Sequence, residues 1–190
     1  MILSYSVRSD LLDDWQNQLP EKAPNYFVLN VFPDQVEPFK HSLQQQNITN
    51  AQFFPVVRGR LVQINDTPVQ QIVSKDSQGE RATHRDLSLT WSNKLPSDNK
   101  TIEGAWNPAL SKQVSIEQKL AKSLKINVGD KLTFTIGSQQ QQATVSHIRS
   151  VRWDTMKPNF YMVFSPDTLA GYATTYLTSF YIAEENKNIL

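Results

Sequence analysis

Val114 to Val151, VSIEQKLAKSLKINVGDKLTFTIGSQQQQATVSHIRSV, is the stretch whose reading decides the fold. Ser115 and Gln118 stand at capping-box spacing, where a hydroxyl accepts from the N3 amide and the Gln side chain returns to the cap's own N–H. Ile116, Leu120 and Leu124 recur every fourth residue with Ala121 beside them, which predicts one apolar stripe on a short helix. Lys119, Lys122 and Lys125 lie towards its C-terminal end, where the helix dipole favours positive charge. Asn127 and the pair Gly129-Asp130 break it. Lys131 to Ile136 then alternates, with Leu132, Phe134 and Ile136 on one side and Lys131, Thr133 and Thr135 on the other, which predicts a half-buried strand. Gly137-Ser138 offers a hairpin turn into a second strand, about 142–151. The alternation there is poorer: His147 and Arg149 sit between Val145 and Val151, and Ile148 takes the other parity. That pattern predicts a bulge or an edge strand. The stretch is a packing unit with nothing catalytic in it, so the rest of the chain must supply its partners.

Towards the N-terminus, Asp10, Asp13 and Asp14 suit the first turn of a helix carrying Leu11, Leu12, Trp15 and Leu19 and stopped by Pro20. Tyr26 to Phe32 reads as a buried strand between Pro24 and Pro33. Asp34 can cap a second helix through Val36, Phe39 and Leu43 to about Gln46, with Pro38 expected in its first turn. The run 48–64 reads as one or two strands with a bend or bulge at Gly59. This α-β-α-β order predicts helices on one face of a sheet. The tract 68–83 is polar and weakly periodic, and a boundary is expected near Lys75 to Arg81. Strands are expected at Asp86 to Trp91 and Thr101 to Trp106, then at Phe160 to Phe164 and Tyr172 to Ile182.

The 190 residues can bury a core without staples, so the absence of cysteine is tolerable. It also removes thiolate nucleophiles, Cys-ligated metals and disulfides. With 19 basic and 18 acidic residues, the net charge of +1 argues against a nucleic-acid partner held through phosphates. No run of 18 apolar residues spans a membrane. His41, His84 and His147 are widely spaced, and no HExxH, P-loop, G-x-S-x-G or G-x-G-x-x-G is present. No catalytic residue, metal site or cofactor is therefore expected. Of the four tryptophans, Trp15, Trp91, Trp106 and Trp153, the default role is packing. Trp106 and Trp153 sit in or beside loops and are the two candidates for a partner or substrate surface.

The segment 114–164 resembles the extracytoplasmic domain of bacterial ABC-transporter permeases of the FtsX-like, MacB-type class, and within it the YbbP-type permeases. The likeness extends through DLLDDWQNQLP, NYFVLNVF, RDLSLTWSNKLPSDNKTIEGAW and TTYLTSFYI. It implies an α+β fold: a porter-like α/β layer, residues 1–78, interrupted by a mostly β, sabre-like inserted subdomain, residues 79–168, with residues 169–190 returning a strand to the porter-like sheet. It implies a non-enzymatic domain on the periplasmic face of the inner membrane, part of a longer membrane protein. Its partners would be a cognate ABC ATPase, reached through the parent permease, and a hydrophobic substrate or periplasmic protein. MILSYSV would be the tail of a membrane helix. Two alternatives stay open from the residues themselves. The helix, GD turn and strand also suit a double-psi-type barrel, as in the pterin-dinucleotide domain of molybdenum oxidoreductases, where it would hold a cofactor. A generic periplasmic ligand-binding module is the other.

Overall fold

The computed structural model describes residues 24–75, 77–153 and 158–182. The helix expected over Asp10 to Leu19, with Trp15, and the segments MILSYSV and AEENKNIL lie outside the described residues. In order, the elements are β1 (Tyr26–Val31), α1 (Pro33–Gln45), β2 (Gln52–Ile64), β3 (Thr67–Pro68), a 3-10 turn (Val69–Gln71), α2 (Gln78–Thr83), β4 (Leu87–Trp91), β5 (Asn99–Gly104), β6 (Gln113–Glu117), α3 (Gln118–Leu124), β7 (Lys131–Ile136), β8 (Gln139–Val151), β9 (Met162–Phe164) and β10 (Thr175–Phe180). The chain is mixed α and β, rich in sheet and poor in helix.

A small layer forms first. β10 lies antiparallel between β1 and the opening residues of β2, 52–56. The helix α1 covers one face of these strands, and Leu43, Ile48, Phe180 and Ile182 form a core with Tyr26, Val28, Phe39 and Ala51 packed against it. Tyr26 stacks on Phe180 at 5.7 Å, and Phe39 meets Phe53 edge-on at 6.0 Å. The helix begins two residues earlier than Asp34 would allow as its cap: Phe32 is the N-cap, and the Gln35 side chain accepts from its N–H at 3.1 Å. Pro38 therefore falls beyond the first turn and removes the donor that would have met the Asp34 carbonyl.

β2 does not stop at this layer. Val57 to Gly59 pair with β4, and Arg60 to Ile64 pair with β7. β4 runs parallel to β9, β9 antiparallel to β6, β6 parallel to β8, and β8 antiparallel to β7. Since β7 returns to β2, these six strands close on themselves as a barrel. Its interior is filled by side chains, among them Val57, Leu61, Leu89, Ile116, Leu132, Phe134, Val145 and Phe164. Ala82 of α2 and Leu120 and Leu124 of α3 join the same core. The polar, weakly periodic residues between 68 and 83 make the 3-10 turn and α2, whose N-cap Ser77 accepts from Glu80 N at 3.0 Å.

The turn at Gly129-Asp130 is built by two specific demands. Gly129 sits at φ +99, a conformation that side chains disfavour. Asp130 accepts from Asn127 N at 2.8 Å through one oxygen and from the Asn65 side chain at 3.0 Å through the other, tying the turn to the end of β2.

Gly59 explains how β2 passes into the barrel. Val57, Gly59 and Leu61 are buried, while Arg58 and Arg60 point out. A Cβ on Gly59 would lie 2.8 Å from Leu89 Cδ1 and 3.0 Å from Ile136 Cγ1. The bulge offered for this position is not at Gly59: the register irregularity against β7 lies between Leu61 and Gln63. Gly59 is present because the barrel leaves no room at this point. Gly59→Ala should cost about 1–3 kcal/mol by overpacking, read as a lower urea midpoint with unchanged slope.

Candidate functional site

The strand β8 is flanked on both sides, by β6 and by β5, so the edge-strand expectation fails while the bulge is real. Its register against β6 slips between Val145 and His147, which turns Val145 and Ile148 to the core and His147 and Arg149 to the opposite face. That face is not solvent. Ser115, His147 and Arg149 are 0%, 1% and 0% exposed. Ser115, read from its spacing as a helix cap, is instead inside β6. The cap is Glu117, whose carboxylate accepts from Lys119 N at 2.7 Å and Leu120 N at 2.9 Å.

Arg149 is the hub. Its guanidinium donates to Asn99 Oδ1 at 2.8 Å, to Ser115 O at 2.8 Å, to Ser115 Oγ at 3.1 Å and to the Phe160 carbonyl. Burial lowers its pKa to about 10, against the raising influence of Glu117, so it stays charged at neutral pH. His147 lies beside it, with Nδ1 2.8 Å from Ser115 Oγ and Nε2 2.8 Å from Thr101 Oγ1. A neutral ring carries one N–H, so one of these two contacts is donated by the imidazole and the other accepted by it. The Ser115–His147 contact has the reach of a nucleophile and its base. Both groups are sealed from solvent, however, so the arrangement holds strands together and presents no surface to a substrate.

Burial first, and the Arg149 charge second, hold His147 below its ordinary value of 6.5. The fold thus favours the neutral ring. This contribution to stability is complete above about pH 6.5 and is lost as pH falls from there towards the depressed folded value. His147→Gln should remove this part of the acid sensitivity, so the wild type should lose more stability than the variant between pH 7.5 and 5 in urea titrations. Equal losses would contradict the assignment.

Two clefts open on the surface. The first, about 620 Å³, is lined by Arg58, Arg60, His84, Arg85, Asp86, Trp153 and Tyr161, among others. The second, about 740 Å³, is lined by aromatic and proline side chains, among them Phe53, Phe54, Pro55, Trp91, Pro96 and Tyr176, and by polar ones that include Ser92, Asn93 and Lys94. Phe160 lines both. Trp153 is 47% exposed, and its ring lies 5.3 Å from that of Tyr161. Trp106 lines neither cleft; it is half-buried after β5, and its Nε1 is enclosed with no hydrogen-bond partner among the described residues. The two sequence candidates therefore do not share a cleft. Sequence reading missed Arg58, Arg60, Phe54 and Trp91, although the alternation of VVRGRLV already placed both arginines on an outward face.

Among the described residues, no group of three or more His, Asp or Glu could hold a metal ion. No helix among them is long and apolar enough to cross a membrane.

No family model matches the chain. Against a domain described as that of a permease protein from Porphyromonas gingivalis, the fold superposes with a TM-score of 0.37 at 8% identity, over 76% of this chain and 61% of that one. The uncharacterized ABC transporter permease YbbP of Escherichia coli (strain K12) is 41% identical over 174 residues. The match takes in 92% of this chain and spans 21% of the permease's length. At that identity, sustained over nearly the whole chain, the resemblance read from the sequence holds: the chain is a relative of YbbP-type ABC transporter permeases, corresponding to about one fifth of such a protein.

Proposed function

We propose that this chain is the non-catalytic extracytoplasmic domain of an inner-membrane ABC transporter permease, held on the periplasmic face and moved as a cognate ATPase cycles. The 41% identity with YbbP over 92% of the chain carries this reading. The wide apolar cleft beside β4 supports a hydrophobic substrate, and the exposed Trp153–Tyr161 pair supports a periplasmic partner. Trp106 is kept as a second partner-facing position. In this reading residues 1–78 and 169–190 form the porter-like part and residues 79–168 the inserted sabre-like part. The strand β2, whose residues 57–64 enter the barrel, joins them. Nucleic acid has no place in it.

The test is topological and enzymatic. Alkaline phosphatase fused within this segment of the parent permease should be active, as only a periplasmic fusion is. The purified chain should hydrolyse neither ATP nor ester substrates. An inactive fusion, or saturable nucleotide hydrolysis, sinks the reading. The closed six-stranded barrel favours a second reading, a cofactor holder, which a coloured or fluorescent purified protein would support. It ranks second because apolar side chains fill the barrel and only six glycines serve the whole chain.

A further inference from the structure

Phe160 lines both clefts and packs against Phe54 with ring centroids 6.2 Å apart. β2 runs beneath them. Phe54, Arg58 and Arg60 share a parity and so a face of the strand, which leads from the apolar cleft into the basic one. Among the described residues, the basic end holds three arginines, Arg58, Arg60 and Arg85, and one carboxylate, that of Asp86. Arg60 and Asp86 form a loose, exposed pair at 3.6 Å, and Arg58 spends one nitrogen on Ser88 Oγ at 2.8 Å. Arg85 has no partner among the described residues, and the described lining of this cleft carries more positive than negative charge. Trp153 and Tyr161 wall that end with aromatic rings. The other end carries Trp91, Phe53, Tyr176 and Pro96. Each volume, about 620 and 740 Å³, lies within the roughly 300–1,000 Å³ of small-molecule sites.

We infer that the joined clefts form one binding site for a single-chain anionic amphiphile, with its acidic head on Arg58, Arg60 and Arg85 and its alkyl chain along Phe160 and Phe54 into the Trp91 groove. The pairing of charge with an adjoining apolar trough selects this ligand. A free anion would leave the 740 Å³ groove unused, and a neutral hydrocarbon would leave the arginines unmet. Planar guanidiniums suit phosphate or carboxylate oxygens in a forked geometry.

The inference names a ligand class for the transporter reading and rests on that reading only for its setting. A failed titration removes the ligand and leaves the topology result standing; a failed topology result leaves the site standing. The test is calorimetric titration of the purified chain with octyl phosphate, decyl phosphate, decyl maltoside and inorganic phosphate, each below its micelle concentration. Decyl phosphate should bind roughly tenfold tighter than octyl phosphate, since two more CH₂ groups are buried. The double substitution Arg58→Gln, Arg85→Gln should weaken decyl phosphate by about tenfold or more, through loss of charge-assisted hydrogen bonds, and leave decyl maltoside unchanged. Both arginines are on the surface, so circular dichroism should show the variant folded. Affinity independent of chain length, equal affinity for the phosphate and the maltoside, or inorganic phosphate competing as well as decyl phosphate would each overturn the assignment. So would the absence of saturable heat.

Discussion

Arg149→Ala should be among the most damaging single substitutions in this protein, at about 3–5 kcal/mol of lost stability. Arg149 is wholly buried and joins three segments that are distant in sequence: Asn99 of β5, Ser115 of β6 and the Phe160 carbonyl. Removing the guanidinium takes away these bonds and strands the acceptors in a site water does not reach, and an unpaired buried polar group costs more than the bond it once made. It also leaves Glu117, itself 2% exposed, without the nearby positive charge. Arg149→Lys should rescue only part of the loss. One ammonium on a flexible stem cannot reach acceptors spread over three segments, as a planar fork does. In thermal unfolding the Ala variant should melt roughly 10 °C lower, on the scaling for domains of this size. A shift of only a degree or two would mean that the network is ornamental.

Phe134→Ala should be of similar size, about 3–5 kcal/mol, for an apolar reason. Phe134 is fully buried, meets Phe164 edge-on at 5.2 Å, and lies on β7 between β2 and β8. Barrel walls closed by hydrogen bonding cannot collapse far into the space a lost ring leaves, so most of the cavity persists. Phe134→Leu, which refills much of it, should cost less than about 1.5 kcal/mol. The urea midpoints of the two variants separate the cases. A Phe134→Ala protein within 1 kcal/mol of wild type would mean that the ring fills no essential volume.

How much of this could be read from the residues depends on how local each signal is. The alternation of Leu132, Phe134 and Ile136 is local and strong, and β7 is where it was expected. The apolar spacing of Leu120 and Leu124 marked α3, but its start was misplaced. Ser115 happens to stand three residues before Gln118, while the true cap is the carboxylate of Glu117. The short strand β6 was hidden by that coincidence. α2 was missed although Ser77 and Glu80 carry the same cap spacing, because only Ala82 and Thr83 of its six residues give it a buried side chain. The role of His147 and Arg149 was beyond local reading. Their polar parity looked like exposure, and only the convergence of residues 99, 101, 115 and 160 makes it burial. The clefts are non-local in the same way, since Phe54, Trp91 and Phe160 become neighbours only when the barrel closes.

The uninterrupted course of β2 has a consequence for how force would travel. At 13 residues it is about 40 Å from end to end. One half is stitched to β10 and the other to β4 and β7. A tug on the small helical layer along this axis would load those ladders in shear, all rungs at once, whereas a sideways tug would open them one rung at a time like a zipper. Pairing of this kind resists a lengthwise pull on β2 more than a sideways one, and so couples the small layer to the barrel wall along that direction.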